Sequence, residues 1–547
     1  AADVQQVPQL SSPRACPRVV IAGSPQCFEL EGEGAQVVLL GGNYVLKAPP
    51  WFPPHEVVAR NARSMAEGLR SSGYVPPPDP RSGRPRVARP CVRLGATFSG
   101  AMPSKATDCV DATWAAALEA SIQAFAEEGV YVFLDNHQDN MCPTNGGQGI
   151  PWWVAAHFQD NAGCGCFSAS CSCCWGSSCS HGVCEPPYIA HPDHPLVDVC
   201  CNACPWLVSK LLPTVQTVAS DPEAPERYSK DPWRAFAPGC NSGDPARMQL
   251  ANVNMRMNNE DSAQERGGPQ FTLQSQNVAY RLYRSYQSEV DREAVFEPYM
   301  TFVRYLCSLY EKYPNVVAVE LLNEPNTAGL PNLWALVNVR RDIYSFFGAV
   351  LEELDAAPTP VRCPVVLDDL GSLVPNLSFL YKVLGFLPLP EDAVRTLRAW
   401  AEKRQLVWSF HYYPSKVMQA SLEEAVATLR EDLAPLGDPP IFLSEIQEGR
   451  KNLPLAARLG VDATTYWHFV DLEFVAPNAG WFRYSDEILE LCALEDPPMS
   501  RPIGGDGRVC WPAWEEFVET VEDGTVWGGY LNGSAGGEED VLANLEC

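Results

Sequence analysis

Short apolar runs alternate along the chain with longer segments in which apolar residues recur every three or four positions. This alternation is typical of a parallel β-sheet whose strands are connected by helices. Eight runs predict strands, namely Gln36–Leu40, Arg89–Leu94, Val130–Leu134, Val316–Leu322, Pro364–Leu367, Leu406–Phe410, Ile441–Ser444 and Ala463–Trp467. Because eight parallel strands close a (β/α)8 barrel, the pattern predicts an α/β fold of the TIM-barrel type.

The segments between these runs carry the apolar spacing of amphipathic helices. They are His55–Arg70, Ala112–Glu128, Ala294–Tyr313, Leu333–Leu354, Ala393–Lys403 and Leu422–Leu433. Each is long enough to cross back over a sheet. The run Val316–Leu322 is apolar except for Glu320, as expected for a parallel strand that is buried on both faces.

A long interval after the third predicted strand breaks the alternation. We predict an N-terminal extension at 1–35, barrel strands 1 to 3 at 36–137, a cysteine-rich insertion at 138–268, strands 4 to 8 with a closing helix at 269–530, and an acidic tail at 531–547. Barrel enzymes place their sites on the loops that follow strand ends, so this insertion is expected to cover the active-site face. The alternative is a solvated decoration that does not contact substrate.

Ten of the 21 cysteines fall between Cys164 and Cys204. Such density favours a disulfide-bonded segment in an oxidising compartment, so we expect a secreted protein or one of the secretory lumen. Zinc is the alternative, because Cys201 and Cys204 have ligand spacing and several histidines lie nearby. The irregular spacing of the cysteines favours disulfides. The odd count leaves at least one thiol unpaired, and Cys307 in a helical stretch is a candidate.

The charge balance narrows the possible partners. The chain has 40 Lys and Arg against 67 Asp and Glu, which gives a formal net charge of −27. Nucleic acid is therefore a poor partner, since its readers concentrate basic residues on one surface. Uninterrupted apolar runs stay below the roughly 18 residues that a membrane span needs, and we expect a monomer without a transmembrane segment.

Two carboxylic acids stand at the ends of predicted strands, where barrel enzymes carry their chemistry. Glu324 follows the fourth strand and Glu445 follows the seventh. A carboxylate at the end of an apolar strand is costly unless it has a partner or a task. Hydrolysis of a glycosidic bond needs two such groups, one to protonate the leaving oxygen and one to attack or to activate water.

Six strand-end positions, taken in chain order, resemble glycoside hydrolase family 5, whose members are retaining, cellulase-like (β/α)8 enzymes. The matching segments are Val92-Arg93-Leu94, Leu134-Asp135-Asn136-His137, Asn323-Glu324-Pro325, His411-Tyr412-Tyr413, Glu445 and Tyr466-Trp467. Asn-Glu-Pro alone is a weak motif. The ordered set is specific, and its matches span residues 36 to 468.

The resemblance implies a glycosidase in which Glu324 is the general acid/base and Glu445 the nucleophile, with carboxyl groups about 5 to 5.5 Å apart. Arg93 and Tyr413 would keep Glu445 ionised and oriented, because positive neighbours and donated hydrogen bonds favour a carboxylate. The other implied substrate-binding residues are Asn323 at the sugar 2-hydroxyl, His137 and His411 beside the reacting sugar, and Trp467 as its stacking platform. The resemblance implies no metal and no cofactor.

The segments Gly42–Pro50, His137-Gln138-Asp139 and Gly149–Trp153 resemble the endoglycoceramidase branch, whose members cleave glycolipids. The resemblance to that branch implies that Lys47 and Asp139 contact the sugar and that the substrate is a glycosphingolipid. The chain departs from it in the cysteine-rich insertion and in having too little sequence after Trp481 for a C-terminal β-sandwich. An endo-β-1,4-glucanase or endo-β-mannanase is the alternative function, and a non-catalytic carbohydrate-binding or matrix protein is a further one.

The two interpretations of the cysteine cluster make opposite predictions. If disulfides hold the insertion together, a reductant should lower the melting temperature of the protein and a chelator should have little effect. Thermal unfolding with and without each reagent measures this. Unfolding by a chelator but not by a reductant would establish zinc instead.

Overall fold

The computed structural model describes residues 16–45, 52, 55–102, 109–138, 141, 149–151, 153–154, 157–158, 273–326, 333–358, 361–368, 390–412, 421–446 and 455–466. Nearly all of the predicted insertion, the acidic tail and the predicted site residues Lys47, Asp139, Tyr413 and Trp467 lie outside these ranges. None of the helices in the described ranges is long and apolar enough to cross a membrane.

A closed parallel barrel forms the centre of the described structure. The strands are β1 (Val19–Ala22), β2 (Cys27–Leu30), β3 (Gln36–Tyr44), β4 (Arg86–Gly95), β5 (Tyr131–Asp135), β6 (Val316–Glu320), β7 (Val365–Asp368), β8 (Leu406–Tyr412), β9 (Ile441–Ile446) and β10 (Ala463–Tyr466). Strands β3 to β10 pair in parallel, and the pairing of β3 with both β4 and β10 closes the barrel. The predicted (β/α)8 fold is confirmed.

Helices pack around this barrel. They are α1 (His55–Ser71), α2 (Phe98–Ala101), α3 (Ala112–Glu127), α4 (Leu273–Leu282), α5 (Glu297–Lys312), α6 (Leu333–Asp355), α7 (Glu391–Glu402) and α8 (Leu422–Leu433). The six predicted helices are present within a few residues of their expected ends. A capping box between Ser421 and Glu424 fixes the first residue of α8, since each side chain accepts from the other's backbone N–H.

A hairpin of β1 and β2, which the sequence pattern did not predict, lies in the segment assigned to the N-terminal extension. The hairpin joins the sheet through antiparallel pairing of Glu29 with Gln36, the first residue of β3, so it lies at the amino ends of the barrel strands. Its apolar side chains pack on the barrel interior, where Phe28 meets Phe133 edge to face with ring centroids 6.0 Å apart. The hairpin therefore closes the barrel at the end away from the strand carboxyl ends.

An ion cluster joins β10 to its neighbours at the same end. Asp462, which directly precedes β10, accepts a hydrogen bond from the backbone N–H of Ile441 at 3.0 Å and one from Arg81 Nη2 at 2.6 Å. Arg430 Nη2 lies 3.4 Å from Oδ2, the oxygen that accepts from Ile441. Burial raises the pKa of Asp462, and the two arginines oppose that rise. These contacts tie the last barrel strand to the loop before β4 and to helix α8.

We predict opposite effects for two glycine-to-alanine substitutions. A Cβ at Gly41 on β3 would lie 1.6 Å from the backbone carbonyl oxygen of Cys91 on β4, so Gly41→Ala should separate two barrel strands and severely destabilise the fold. A Cβ at Gly348 in α6 would meet Ala393 at an ordinary 3.5 Å, so Gly348→Ala should stabilise by about 0.5–1 kcal/mol through helix propensity. Denaturant unfolding measures both, and a stable Gly41→Ala protein would contradict this account of the strand packing.

Candidate active site

The barrel interior changes from apolar to charged at the carboxyl ends of the strands. Side chains on one face of a strand recur every second residue, so Cys91 and Arg93 share a face, as do Phe133 and Asp135. The pairs Ala318 with Glu320 and Val366 with Asp368 repeat this step on β6 and β7, and all these residues are buried. A ring of buried charge therefore lies directly above the apolar core of the barrel.

Arg93 occupies the centre of this ring and is fully buried. Its Nε and Nη2 donate to the two carboxylate oxygens of Glu320, both at 2.7 Å. Nη1 donates to Asn43 Oδ1 at 2.9 Å and to Glu445 Oε1 at 2.8 Å. Nη2 also donates to Asn323 Oδ1 at 2.6 Å. All five N–H donors of the guanidinium are thereby matched to acceptors on four different loops and strands.

The surrounding carboxylates compensate the buried charge of Arg93. Burial lowers the pKa of Arg93, but Asp135, Glu320 and Glu445 together raise it well above its ordinary value. Asp135 Oδ1 lies 3.2 Å from Nη2 in this arrangement. Burial also raises the pKa of Glu320 to about 7, against the opposing effect of Arg93. The arginine is a permanent cation that holds several acids in one buried cluster.

Glu445 lies on β9 with its side chain almost fully buried. One oxygen accepts from Arg93 Nη1, and the other lies 3.4 Å from His411 Nδ1. Asn43 fixes the strand beneath it, because Asn43 Nδ2 donates to the carbonyl oxygen of Ser444 at 2.9 Å. Glu445 is thus flanked by the Arg93 guanidinium and the His411 imidazole.

Glu324 lies in the loop after β6 and has a φ of +38°, which is rare for a residue with a side chain. Both backbone polar groups of Glu324 make hydrogen bonds. The N–H donates to Asp368 Oδ2 at 2.8 Å, and the carbonyl oxygen accepts from Gln138 Nε2 at 2.7 Å. The side chain remains 19% exposed, in contrast to that of Glu445. The backbone is fixed while the carboxyl group still reaches solvent.

His411 on β8 connects the two glutamates. Its Nδ1 lies 2.8 Å from Glu324 Oε1 and 3.4 Å from Glu445 Oε2, and its Nε2 lies 3.5 Å from Asp368 Oδ2. Burial lowers the pKa of His411, but Glu445, Asp368 and Glu324 raise it to about 10. At neutral pH the ring is therefore an imidazolium among three carboxyl groups.

One carboxylate oxygen from each glutamate and one His411 nitrogen all lie within 4.8 Å of one another. That proximity fits the short spacing of carboxyl groups in retaining glycosidases and is smaller than the spacing in inverting enzymes. The two groups also have unequal surroundings, because Glu445 contacts Arg93 whereas Glu324 faces solvent. Unequal environments allow one carboxyl group to act as acid while the other stays ionised.

The same cluster contains two groups of three side chains with the spacing of cation ligands. They are Glu320, Asp368 and His411 in one group, and Glu324, His411 and Glu445 in the other. In the first group, Arg93 already binds both oxygens of Glu320. Because Arg93 and the imidazolium supply positive charge at this position, we interpret both groups as parts of an ion-pair network.

The structure brings together Glu324, Glu445, Arg93, Asn323 and His411 among the predicted site residues. His137 lies beside them, with Nδ1 2.8 Å from Asp135 Oδ2. Their catalytic and sugar-binding roles remain predictions, and no contact of Lys47, Asp139, Tyr413 or Trp467 is described. The predictions missed the supporting residues Asn43, Asp135, Gln138, Glu320 and Asp368. Asp368 follows an apolar strand just as Glu445 does, so the same rule applied to the fifth strand would have found it.

Comparison with known proteins gives a partial sequence match. No family model matches the chain. Endoglycoceramidase I from Rhodococcus hoagii (strain 103S) is 29% identical over 125 residues, which cover 23% of this chain and 21% of that protein. The matched segment is thus about a fifth of that relative's length. The match agrees with the resemblance to endoglycoceramidases that the sequence motifs carry.

Solved structures also align with the chain. Endo-glycoceramidase II from Rhodococcus sp. aligns with a TM-score of 0.43 at 14% identity, over 84% of this chain and 79% of that one. An endogalactoceramidase gives 0.43 at 16% identity, over 83% and 75%. Sterylglucosidase 1 from Cryptococcus neoformans gives 0.44 at 11% identity, over 85% and 78%.

We predict that Arg93→Lys destabilises the protein by about 3–5 kcal/mol, because one ammonium cannot replace five directed donors and leaves buried carboxylates unpaired. Arg63→Lys is the matched control. Arg63 also pairs with a glutamate, Glu128, at 2.9 Å, but its side chain is 59% exposed, so the change should cost less than about 1 kcal/mol. Urea unfolding compares the two variants, and equal stabilities would contradict the central role of Arg93.

Proposed function

We propose that the protein is a retaining O-glycoside hydrolase that cleaves internal β-glycosidic bonds by double displacement. The observation that carries this proposal is the pair Glu324 and Glu445, which lie at the carboxyl ends of barrel strands with oxygens within 4.8 Å of each other and share one imidazole. Two carboxyl groups at this spacing are the machinery that such a reaction requires.

In the first step, Glu445 attacks the anomeric carbon of the sugar while Glu324 donates its proton to the departing glycosidic oxygen. The bond to the leaving group breaks as the bond to Glu445 forms, which yields a covalent glycosyl-enzyme. In the second step, Glu324 removes a proton from water, and that water attacks the anomeric carbon and releases Glu445. The configuration at the anomeric carbon is retained after two inversions.

The environments of the two carboxyl groups support this division of roles. Arg93 Nη1 donates to Glu445 at 2.8 Å and so orients the carboxyl group assigned as nucleophile. Glu324 is partly exposed, so a leaving group and then a water can reach it. His411 Nδ1 lies 2.8 Å from Glu324 Oε1 and orients that carboxyl group toward the site. If the two roles were interchanged, the proton would have to sit on Glu445, whose carboxyl group accepts a hydrogen bond from Arg93.

The favoured substrate is a glycosphingolipid, cleaved between its oligosaccharide and its ceramide. The sequence match to an endoglycoceramidase and the motifs around Lys47 and Asp139 support this choice, with both residues as sugar contacts. We further propose a monomer in an oxidising, secretory or extracellular environment, on the basis of the cysteine content. A polysaccharide endohydrolase acting on β-glucan or β-mannan is the alternative substrate class.

Product analysis should distinguish these substrates. We expect purified protein to release intact oligosaccharide and ceramide from a glycosphingolipid, and Glu445→Gln to abolish release, because an amide cannot form the glycosyl-enzyme. Chromatography and mass spectrometry of the products measure this. Glu431→Gln, a change on helix α8, is the control and should keep full activity. Shortened glucan or mannan chains would establish a polysaccharide hydrolase, and equal products from wild type and Glu445→Gln would contradict the nucleophile assignment.

The acid role of Glu324 gives a separate prediction. Glu324→Ala should lower turnover of natural substrates by about 10²–10⁴-fold. It should retain much more activity on aryl glycosides whose leaving groups need no proton, and azide should accelerate that reaction by taking the place of the base-activated water. Steady-state rates on both substrate types measure the difference. An equal loss on both would argue against an acid role for Glu324.

A further inference from the structure

Asp368 at the end of β7 is fully buried beside the glutamate pair and has no role in the mechanism above. Its Oδ2 accepts the backbone N–H of Glu324 at 2.8 Å, and its Oδ1 accepts the hydroxyl of Ser409 at 3.0 Å. The same Oδ2 lies 3.5 Å from His411 Nε2. One carboxylate therefore contacts both the backbone of Glu324 and the imidazole that binds its side chain.

The backbone contact matters because Glu324 has a left-handed conformation. A residue with a side chain adopts this region at an energetic cost, and it persists only where its surroundings hold it. Asp368 accepts a hydrogen bond from the N–H of Glu324, and Gln138 donates one to its carbonyl oxygen. Loss of the carboxylate would leave one of these two restraints and would let the acid/base carboxyl group move.

The contact between Asp368 and the His411 ring favours the protonated, positively charged form of that ring. His411 has carboxyl groups at both ring nitrogens, with Glu324 and Glu445 at Nδ1 and Asp368 at Nε2. A nitrogen contacts an ionised carboxylate favourably only when it carries a proton. Burial raises the pKa of Asp368, and the neighbouring His411 is the first group that opposes this rise. A proton on Nε2 and a carboxylate on Asp368 therefore stabilise each other across 3.5 Å, while the glutamate pair favours a proton on Nδ1, so the ring is held as a cation.

We propose that Asp368 is a positioning residue for the acid/base reaction: it fixes the backbone of Glu324 and keeps His411 protonated, so that His411 donates to Glu324 and Glu445. This inference rests on the proposed glycosidase function for its kinetic consequence. The charge on His411 is a property of the folded protein and is measurable without any substrate.

The groups that face His411 set the direction of the pH effect. They are Glu324 after β6, Glu320 at the end of β6, Asp368 on β7 and Glu445 on β9, with the cation Arg93 from β4 next to two of them. Anionic neighbours stabilise the imidazolium, so removal of the Asp368 charge must lower the pH at which His411 loses its proton. Because His411 donates to both glutamates only while its ring is protonated, the alkaline limb of the activity profile should then move to lower pH.

The test compares Asp368→Asn with wild type. We expect kcat on a glycolipid to fall by about 100-fold with KM changed less than about threefold, since acid/base catalysis supplies about that factor. The loss should be smaller on an activated aryl glycoside, and the alkaline limb should move to lower pH. Asp355→Asn on α6, where Asp355 pairs with Lys403 at the surface, should change none of these. An unshifted limb with equal losses on both substrates would reduce Asp368 to a structural role and overturn the proposal.

Two further measurements keep the inference falsifiable. NMR titration of ¹⁵N-histidine-labelled protein, with the His411 signal assigned from His411→Gln, should show a ring protonated at pH 8 in wild type and a lower titration point in Asp368→Asn. A neutral ring in wild type would overturn the inference even if no glycosidase activity were found.

If Asp368→Asn fails to fold, Ser409→Ala should lower kcat severalfold without moving the alkaline limb, because this change removes one hydrogen bond to Asp368 and keeps the Asp368 charge. An unchanged kcat would count against the proposal.

Discussion

The buried guanidinium of Arg93 is the interaction on which the rest of the site depends. It joins β3, β4, β6 and β9 through five hydrogen bonds and is the permanent positive charge among the acids of the barrel mouth. Without it, the buried carboxyl group of Glu320 would lose its cationic partner, and Glu445 would keep only His411. A single cation therefore makes it possible for a stable fold to carry a reactive cluster of carboxyl groups.

The interior of the barrel is apolar at the amino ends of the strands and charged at their carboxyl ends. At the amino ends, the hairpin of β1 and β2 seals an apolar interior in which Phe133 stacks on Phe442 with centroids 4.3 Å apart. At the carboxyl ends, the interior positions hold paired charges. The apolar end provides stability without any role in chemistry, so the opposite end can tolerate strain at Glu324 and crowding of acids.

Much of the fold and the central pair of acids could be predicted from the sequence, because periodicity and strand-end position are local signals. The eight barrel strands and six helices follow from apolar spacing, and Glu324 and Glu445 follow from their places after strands. The supporting network could not be predicted in the same way. Glu320 looks like an interruption of an apolar strand until Arg93 is placed beside it, and this pair is 227 residues apart in the chain. The hairpin was missed because two four-residue strands carry too little periodicity to be recognised.

The double-displacement proposal requires that Glu445 becomes covalently attached to the sugar during turnover, and this intermediate can be trapped. The protein should be incubated with a 2-deoxy-2-fluoro-β-glycoside that carries an activated leaving group, and the intact mass and the labelled peptide should then be measured. We expect one added glycosyl mass on the peptide that contains Glu445, and no adduct on Glu445→Gln. Hydrolysis with inverted configuration at the anomeric carbon, or a label on a different residue, would contradict it.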